Sequence, residues 1–289
     1  MRVSAFCPGH VTGFFEICPS EDLLSMGSRG AGLCLSLGAT ATVDFKKSAR
    51  QVIDIRLNGQ KTPAPVTKSA LKHLLGERKV SVKVDIIHDL PLHQGFGMSA
   101  AGALSSAIAL ASGLKIDRQK AFEAAHIAEI ENKSGLGDVS ALRKGGITIR
   151  VKPGLPPRGR VVNIDGVPTV VMAVVGKDLK TRSVLNDPKK RKKINESGGK
   201  LVDRLLCQPS FERFMELSWE FAVESGLASR EVIEATGAAS KLGMASMAML
   251  GNSVFAVGDT LGLVSVLSDF GEVWVCRVDP RGPRVIRKG

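Results

Sequence analysis

Hydrophobic and polar residues alternate at Val80, Val82, Val84 and Ile86. This period of two turns one face of a strand toward a core and the other toward water, until Pro91 ends the run. Past it, Ser99 to Ser112 (SAAGALSSAIALAS) is almost entirely Ala, Ser, Leu and Ile, which predicts a helix of small residues. Other β-patterned runs lie at 31–45, 51–57, 146–151, 169–175, 253–258 and 272–278. Residues 1–17 read as a strand broken by Cys7-Pro8-Gly9-His10-Val11-Thr12-Gly13 and resumed through Phe14-Phe15-Glu16-Ile17. Helices are predicted at 69–75, 118–133, 187–206, 210–225 and 229–241, the second starting after Asp117 as its N-cap. A helical turn follows Asp138, and a short helix separates the last two strands. Lys152-Pro153-Gly154-Leu155-Pro156-Pro157 carries the strongest linker signal. The order predicts a mixed α+β protein of two domains, residues 1–152 and 153–289.

Between the strand at 80–88 and the small-residue helix stands Gly95-Phe96-Gly97-Met98-Ser99-Ala100-Ala101-Gly102. Strand, glycine loop and helix N-terminus make an anion cradle. Bare N–H groups and the positive end of the helix dipole converge there, and missing Cβ atoms let phosphate oxygens approach. A nucleoside triphosphate would contact Gly95, Gly97, Met98, Ser99, Ala100 and Ala101, although a glycine loop alone also fits a tight turn.

Polar residues downstream add to the loop. Phe122, Ala125, His126 and Glu129 fall at i, i+3, i+4 and i+7 and share one helix face. An imidazole and a carboxylate on a stripe that begins apolar call for a partner or an ion. The alternative is a solvated Glu129 paired with Lys133 four residues on. Asp138, in Gly137-Asp138-Val139-Ser140, reads either as an N-cap or as a carboxylate that orients an attacking hydroxyl. Phosphoryl transfer needs Mg²⁺ on oxygen ligands, a phosphate cradle and a group at the nucleophile. Ser99, Glu129, the glycine loop and Asp138 supply that set. Arg150 suits bidentate capture of a carboxylate, or else faces solvent on a half-exposed strand.

Composition narrows the classes. The chain has 289 residues, 44% hydrophobic, enough for two domains with a substantial core. No apolar run reaches the length of about 20 residues that spans a bilayer. The N-terminus lacks a signal-peptide pattern, and the five cysteines are scattered without C-x-x-C spacing, which predicts reduced thiols in a cytoplasm and no zinc. A net charge of +12 suits small anionic substrates as well as nucleic acid. With 4% aromatics and no Tyr, platforms for stacking bases are scarce, so nucleic acid is set aside. The densest basic run, Lys189-Lys190-Arg191-Lys192-Lys193, reads as a solvated face or a phosphate-attracting lid. Gly95-x-Gly97-x-x-Ala100 lacks the strand entry of a dinucleotide fingerprint, and the Gly-x₄-Gly-Lys-[Ser/Thr] loop is absent.

These motifs together resemble the GHMP kinase superfamily. Its central P-x-x-x-G-x-G-x-S-x-A stands as Pro91 to Ala101, its N-terminal motif as Pro8-Gly9-His10-Val11-Thr12-Gly13, and its G-x-x-D loop as Gly135-Leu136-Gly137-Asp138. Within it the chain is most similar to the archaeal pantoate kinase family, through PGHVTGFFEI at 8–17, Gly27 to Gly32, GMSAAGALSSAIAL at 97–110 and Ser246 to Asn252. The third superfamily motif, usually glycine-rich, keeps only Gly243 and Gly251 here. The resemblance implies a two-domain α+β GHMP kinase fold with the active site in the interdomain cleft. It implies phosphorylation of the primary hydroxyl of pantoate by ATP on a route to coenzyme A. Ser99 and Glu129 would bind Mg²⁺–ATP, Asp138 would act on the hydroxyl, and Ser28, His126 and Arg150 would bind pantoate. Kinases for homoserine, shikimate or mevalonate, and a non-catalytic nucleotide-binding regulator, are the competing readings. The sequence leaves the oligomeric state open, a homodimer included.

Overall fold

The computed structural model describes residues 1–179 and 181–288. Two long antiparallel strands, β1 (Arg2–Cys18) and β2 (Gly27–Lys47), form the spine of an eight-stranded sheet. With β3 (Val52–Leu57), β4 (Gln60–Lys61), β5 (Val80–His88) and β12 (Arg284–Lys288), the order across it is β12-β1-β2-β5-β3-β4. β6 (Ile147–Lys152) pairs with the first part of β2, and β7 (Arg160–Ile164) pairs with β6. A second, antiparallel sheet contains β8 (Thr169–Val174), β9 (Gly243–Ala248), β10 (Ser253–Gly258) and β11 (Glu272–Arg277) in the order β11-β8-β10-β9.

Local sequence explains the main elements. In β5 the expected alternation places Val80, Val82, Val84 and Ile86 in the core. α2 (Met98–Leu114) is buried almost all round, as a helix of Ala, Ser, Gly and Leu can be without bulky side chains forcing its neighbours apart. It packs on β1 and β2 and against both α1 (Pro65–Leu75) and α3 (Arg118–Asn132), which also pack on each other. Asp117 caps α3 as expected, accepting from the Gln119 N–H at 2.9 Å. α4 (Asp138–Lys144) follows the G-x-x-D loop. The second half carries α5 (Thr181–Leu185), α6 (Pro188–Cys207), α7 (Phe211–Glu224), α8 (Arg230–Ala239) and α9 (Thr260–Ser268). α6 and α7 lie across β1, where Phe14 meets Phe214 and Phe221.

Three expectations need correction. Cys7 to Gly13 does not break the first strand. β1 continues through it and absorbs the Pro-Gly step as register shifts between Pro8 and Gly9 and between Thr12 and Phe14. Lys152 to Pro157 does not lead from one half to the other, because the turn that includes it returns β6 into β7 within the first sheet. Finally β4, β7, β9 and β12 are strands that the hydrophobic pattern left out. β12 crosses back from the chain's end to pair with β1.

Candidate active site

A cavity of about 720 Å³ opens between the first sheet with its helices and the second half. Its walls include Gly95 to Ala100, Glu129, the 134–138 loop, Ser28 and Arg150, with Thr181, Leu185, Met249 and Leu250 from beyond residue 152. Most of the residues singled out from sequence therefore face one space.

The glycine loop takes its shape from left-handed backbone at His93 (φ 63°), Gly95 (φ 78°) and Gly97 (φ 62°). A Cβ on Gly97 would press on the backbone of His10 at 3.1 Å, so loop and β1 touch there. The His10 N–H donates to the Phe96 carbonyl at 2.9 Å, using a strand donor that the irregular pairing turns away from β2. Met98, Ser99 and Ala100 line the cavity at the start of α2. Ala101 does not; it is fully buried on the packed side of the helix.

Glu129 is only 2% exposed, which excludes the solvated ion pair with Lys133. Lys133 instead donates to Asn186 at 3.3 Å. The Glu129 carboxylate lies against Gly135, where a Cβ would come within 2.7 Å of its Oε2, and Oε1 accepts from Ser134 Oγ at 3.3 Å. Burial, with the nearby Asp138 charge, pushes its carboxyl well above the usual range. A buried, poorly compensated carboxylate with a hydroxyl across the same cavity fits a hard cation. Among the described residues no group of three or more His, Cys, Asp or Glu would cage an ion unaided.

Asp138 begins α4 but does not cap it: the N-cap is Gly137, and the carboxylate turns into the site. Its Oδ1 lies 2.7 Å from His10 Nδ1. Burial works to raise the Asp138 carboxyl, but the hydrogen bond and charge of His10, with the charge of Arg150, hold it below the ordinary range. Burial lowers the pKa of His10 against the opposing pull of Asp138. An ionised carboxylate only accepts, so Nδ1 of the ring carries the proton of this hydrogen bond. His10 is a candidate site residue that the sequence alone does not point to. The Pro-Gly-His motif stands out along the chain, but its reach to Asp138, 128 positions away, depends on β1 running unbroken through the motif.

Arg150 is 2% exposed, which excludes the solvent-facing alternative. Gly30 opposes it in register, and a Cβ there would come within 2.7 Å of Nη2. A Cβ on Gly137 would come within 2.6 Å of its Nε and would also strike Ser28 Oγ. Two glycines thus clear the volume that the guanidinium fills beside Ser28. Nε and Nη1 are buried and have no hydrogen-bond partner among the described residues. Arg150 itself lines the cavity, so the site carries a buried guanidinium with donors still to satisfy. His126 is set back from the cavity. Buried on the expected face of α3, it bonds the Met26 carbonyl through Nε2 at 3.0 Å and braces the entry to β2, two residues before Ser28.

Geometry and comparison agree on the class. Residues 65–146 match the family model described as GHMP kinases N terminal domain. The homoserine kinase from Cytophaga hutchinsonii superposes with a TM-score of 0.68 at 16% identity, covering 99% of this chain and 97% of that one, so the fold is the GHMP kinase fold. A solved structure described as a phosphotransferase related to the CoA biosynthesis pathway superposes at 0.90 with 32% identity, covering 99% of each chain. The pantoate kinase of Methanocaldococcus jannaschii is 34% identical over 277 residues, 94% of this chain and 99% of that protein. The chain belongs to the GHMP kinase superfamily, in its pantoate kinase family.

Proposed function

We propose that the chain transfers the γ-phosphoryl group of ATP to the primary hydroxyl of pantoate, giving 4-phosphopantoate and ADP on a route to coenzyme A. The observation that carries this reading is the buried Arg150, whose unpaired Nε and Nη1 belong to a residue lining the same cavity as the glycine loop and Asp138. A substrate carboxylate would satisfy those donors, and Ser28 adds a hydroxyl beside them.

With the carboxylate held there, the acceptor hydroxyl is directed toward Asp138. Its oxygen attacks the γ-phosphorus, the bond to the β–γ bridging oxygen breaks, and ADP leaves. Asp138, ionised and fixed by His10, accepts the hydroxyl hydrogen bond and takes the proton as the new ester forms. The loose transition state asks more of orientation than of basicity. Backbone N–H groups of Gly95 to Ala100 cradle the phosphates. Ser99 and Glu129 would hold Mg²⁺, which when bound neutralises charge on the phosphate oxygens. His126 supports the acceptor pocket through Met26 rather than by touching substrate. We assign the phosphate-loop, Glu129, Asp138, Ser28 and Arg150 walls to the domain expected at residues 1–152, with β7 and β12 completing its sheet and Thr181, Leu185, Met249 and Leu250 closing the cavity from the other half.

Release of ADP in the presence of Mg²⁺–ATP, measured against pantoate, homoserine, shikimate and mevalonate, tests the acceptor. Turnover with pantoate alone is expected; turnover with another of the four would keep the kinase and remove the pantoate assignment.

A further inference from the structure

We propose that Gln94 is a positioning residue of the phosphate loop: it pins Gly95 to Ser99 to the second sheet, so nucleotide affinity depends on it and acceptor affinity does not. The inference rests on the phosphoryl-transfer reading of the cavity. Gln94 immediately precedes Gly95, is 3% exposed and is not among the cavity's lining residues. Its side chain spends every major hydrogen-bonding direction on the other half of the molecule. Nε2 donates to the Gly176 carbonyl at 3.2 Å and to Asp178 Oδ1 at 3.1 Å. Oε1 accepts from the Asn252 N–H at 3.3 Å and from Ser253 Oγ at 3.4 Å. Asn252 ties the two partner loops together by donating from Nδ2 to the Lys177 carbonyl at 2.7 Å.

The surrounding backbone points the same way. The Leu179 N–H donates to the His93 carbonyl at 3.1 Å. A Cβ on Gly95 would meet the Ala248 and Met249 carbonyl oxygens at 2.8 and 2.9 Å. A Cβ on Gly251 would strike the Gln94 carbonyl. The loop is seated flush on the β9–β10 turn. It also needs seating, because three of its five residues from His93 to Gly97 are left-handed, and His93 lacks the freedom of glycine. An amide suits the place because it can donate to two oxygens and accept from two donors at once. A carboxylate would keep the acceptor side and oppose both Asp178 and the Gly176 carbonyl.

The test uses the full-length protein, with Mg²⁺–ATP affinity measured by calorimetry without acceptor and Michaelis constants measured for both substrates. Gln94→Ala and Gln94→Glu are each expected to weaken Mg²⁺–ATP binding about tenfold, the loss expected for two or more hydrogen bonds, and to leave the pantoate constant within about twofold. Adding Asp178→Asn to Gln94→Glu restores a donor facing the carboxylate and should recover most of the affinity. Unchanged ATP affinity in both single variants would overturn the proposal. So would an equal rise in both Michaelis constants, or a double variant no better than Gln94→Glu. The Gln94→Glu series decides the matter even where Gln94→Ala fails to fold. Absence of pantoate-dependent ADP release in the unaltered protein would instead overturn the kinase reading, while the calorimetric comparison still reports on Gln94.

Discussion

Arg150 is buried with two nitrogens unpaired, an arrangement that costs stability unless a ligand supplies the anion. Arg150→Ala is therefore expected to raise the Michaelis constant for pantoate roughly 10- to 100-fold, the worth of charge-assisted hydrogen bonds of about 1.5–3 kcal/mol, with the constant for ATP little changed. Equal rises in steady-state kinetics would make Arg150 structural. Asp138→Ala should lower kcat by about 10²–10⁴-fold while calorimetry still finds Mg²⁺–ATP bound. His10→Ala should lower kcat roughly tenfold with both Michaelis constants nearly unchanged. Without the His10 hydrogen bond, burial acts on Asp138 with less opposition and its carboxyl titrates higher, so the acid limb of the kcat profile should move to higher pH. A limb that stays in place would separate His10 from Asp138. At this scale the sequence was informative wherever chemistry follows from local spacing: Ser99, Glu129, Asp138 and Arg150 reach one cavity. It was silent on contacts made across the fold, so His10 went unassigned. It placed His126 on the face of α3 that carries Glu129 without showing that the His126 ring meets the Met26 carbonyl while Glu129 meets the cavity.

Elements with strong internal periodicity were legible, as β5, α2 and α3 show, whereas elements fixed by their neighbours were not. β12 (RVIRK) is charged and mostly exposed, and only its pairing with β1 makes it a strand. β9 (GMASMA) has little β character of its own and is held between β10 and α7. Close packing between elements yields a paired prediction. α6 docks on β1 through Gly198, where a Cβ would run into the Phe15 carbonyl, whereas Gly237 in α8 has open space around it. Gly198→Ala should destabilise by about 1–3 kcal/mol and Gly237→Ala should stabilise by about 0.5–1 kcal/mol, both read from denaturant midpoints. β5 and α2 meet where Gly102 leaves room for His88. Burial, partly offset by Asp89, lowers His88 to about 4 from the ordinary 6.5. The unfolded chain takes the proton first on acidification. Stability conferred by neutral His88 is thus complete above pH 6.5, falls as pH drops toward 4 and levels below that, up to about 3 kcal/mol in all. His88→Asn should flatten the stability profile between those limits, and an unchanged slope in pH-dependent urea unfolding would contradict the assignment.

Across the whole molecule, two sheets share one cavity, and no helix among the described residues is long and apolar enough to cross a membrane. Arg29 of β2 joins the halves by donating to Glu16 of β1 at 3.1 Å, to the Val151 carbonyl at 3.1 Å and to Asp203 of α6. The two-halved plan was legible from the succession of elements, but the proline- and glycine-rich run at 152–157 was misleading as a linker. Those residues mark a change of chain direction, and a hairpin turn inside a sheet needs one as much as an interdomain crossing does. The central claim, that this cavity phosphorylates the primary hydroxyl of a small hydroxy acid, is tested most directly by identifying the product. Incubation with Mg²⁺–ATP and D-pantoate, followed by phosphorus NMR and mass spectrometry, should show one phosphate ester on the primary hydroxyl for each ADP formed. ADP without phosphopantoate, or an ester at another oxygen, would contradict it.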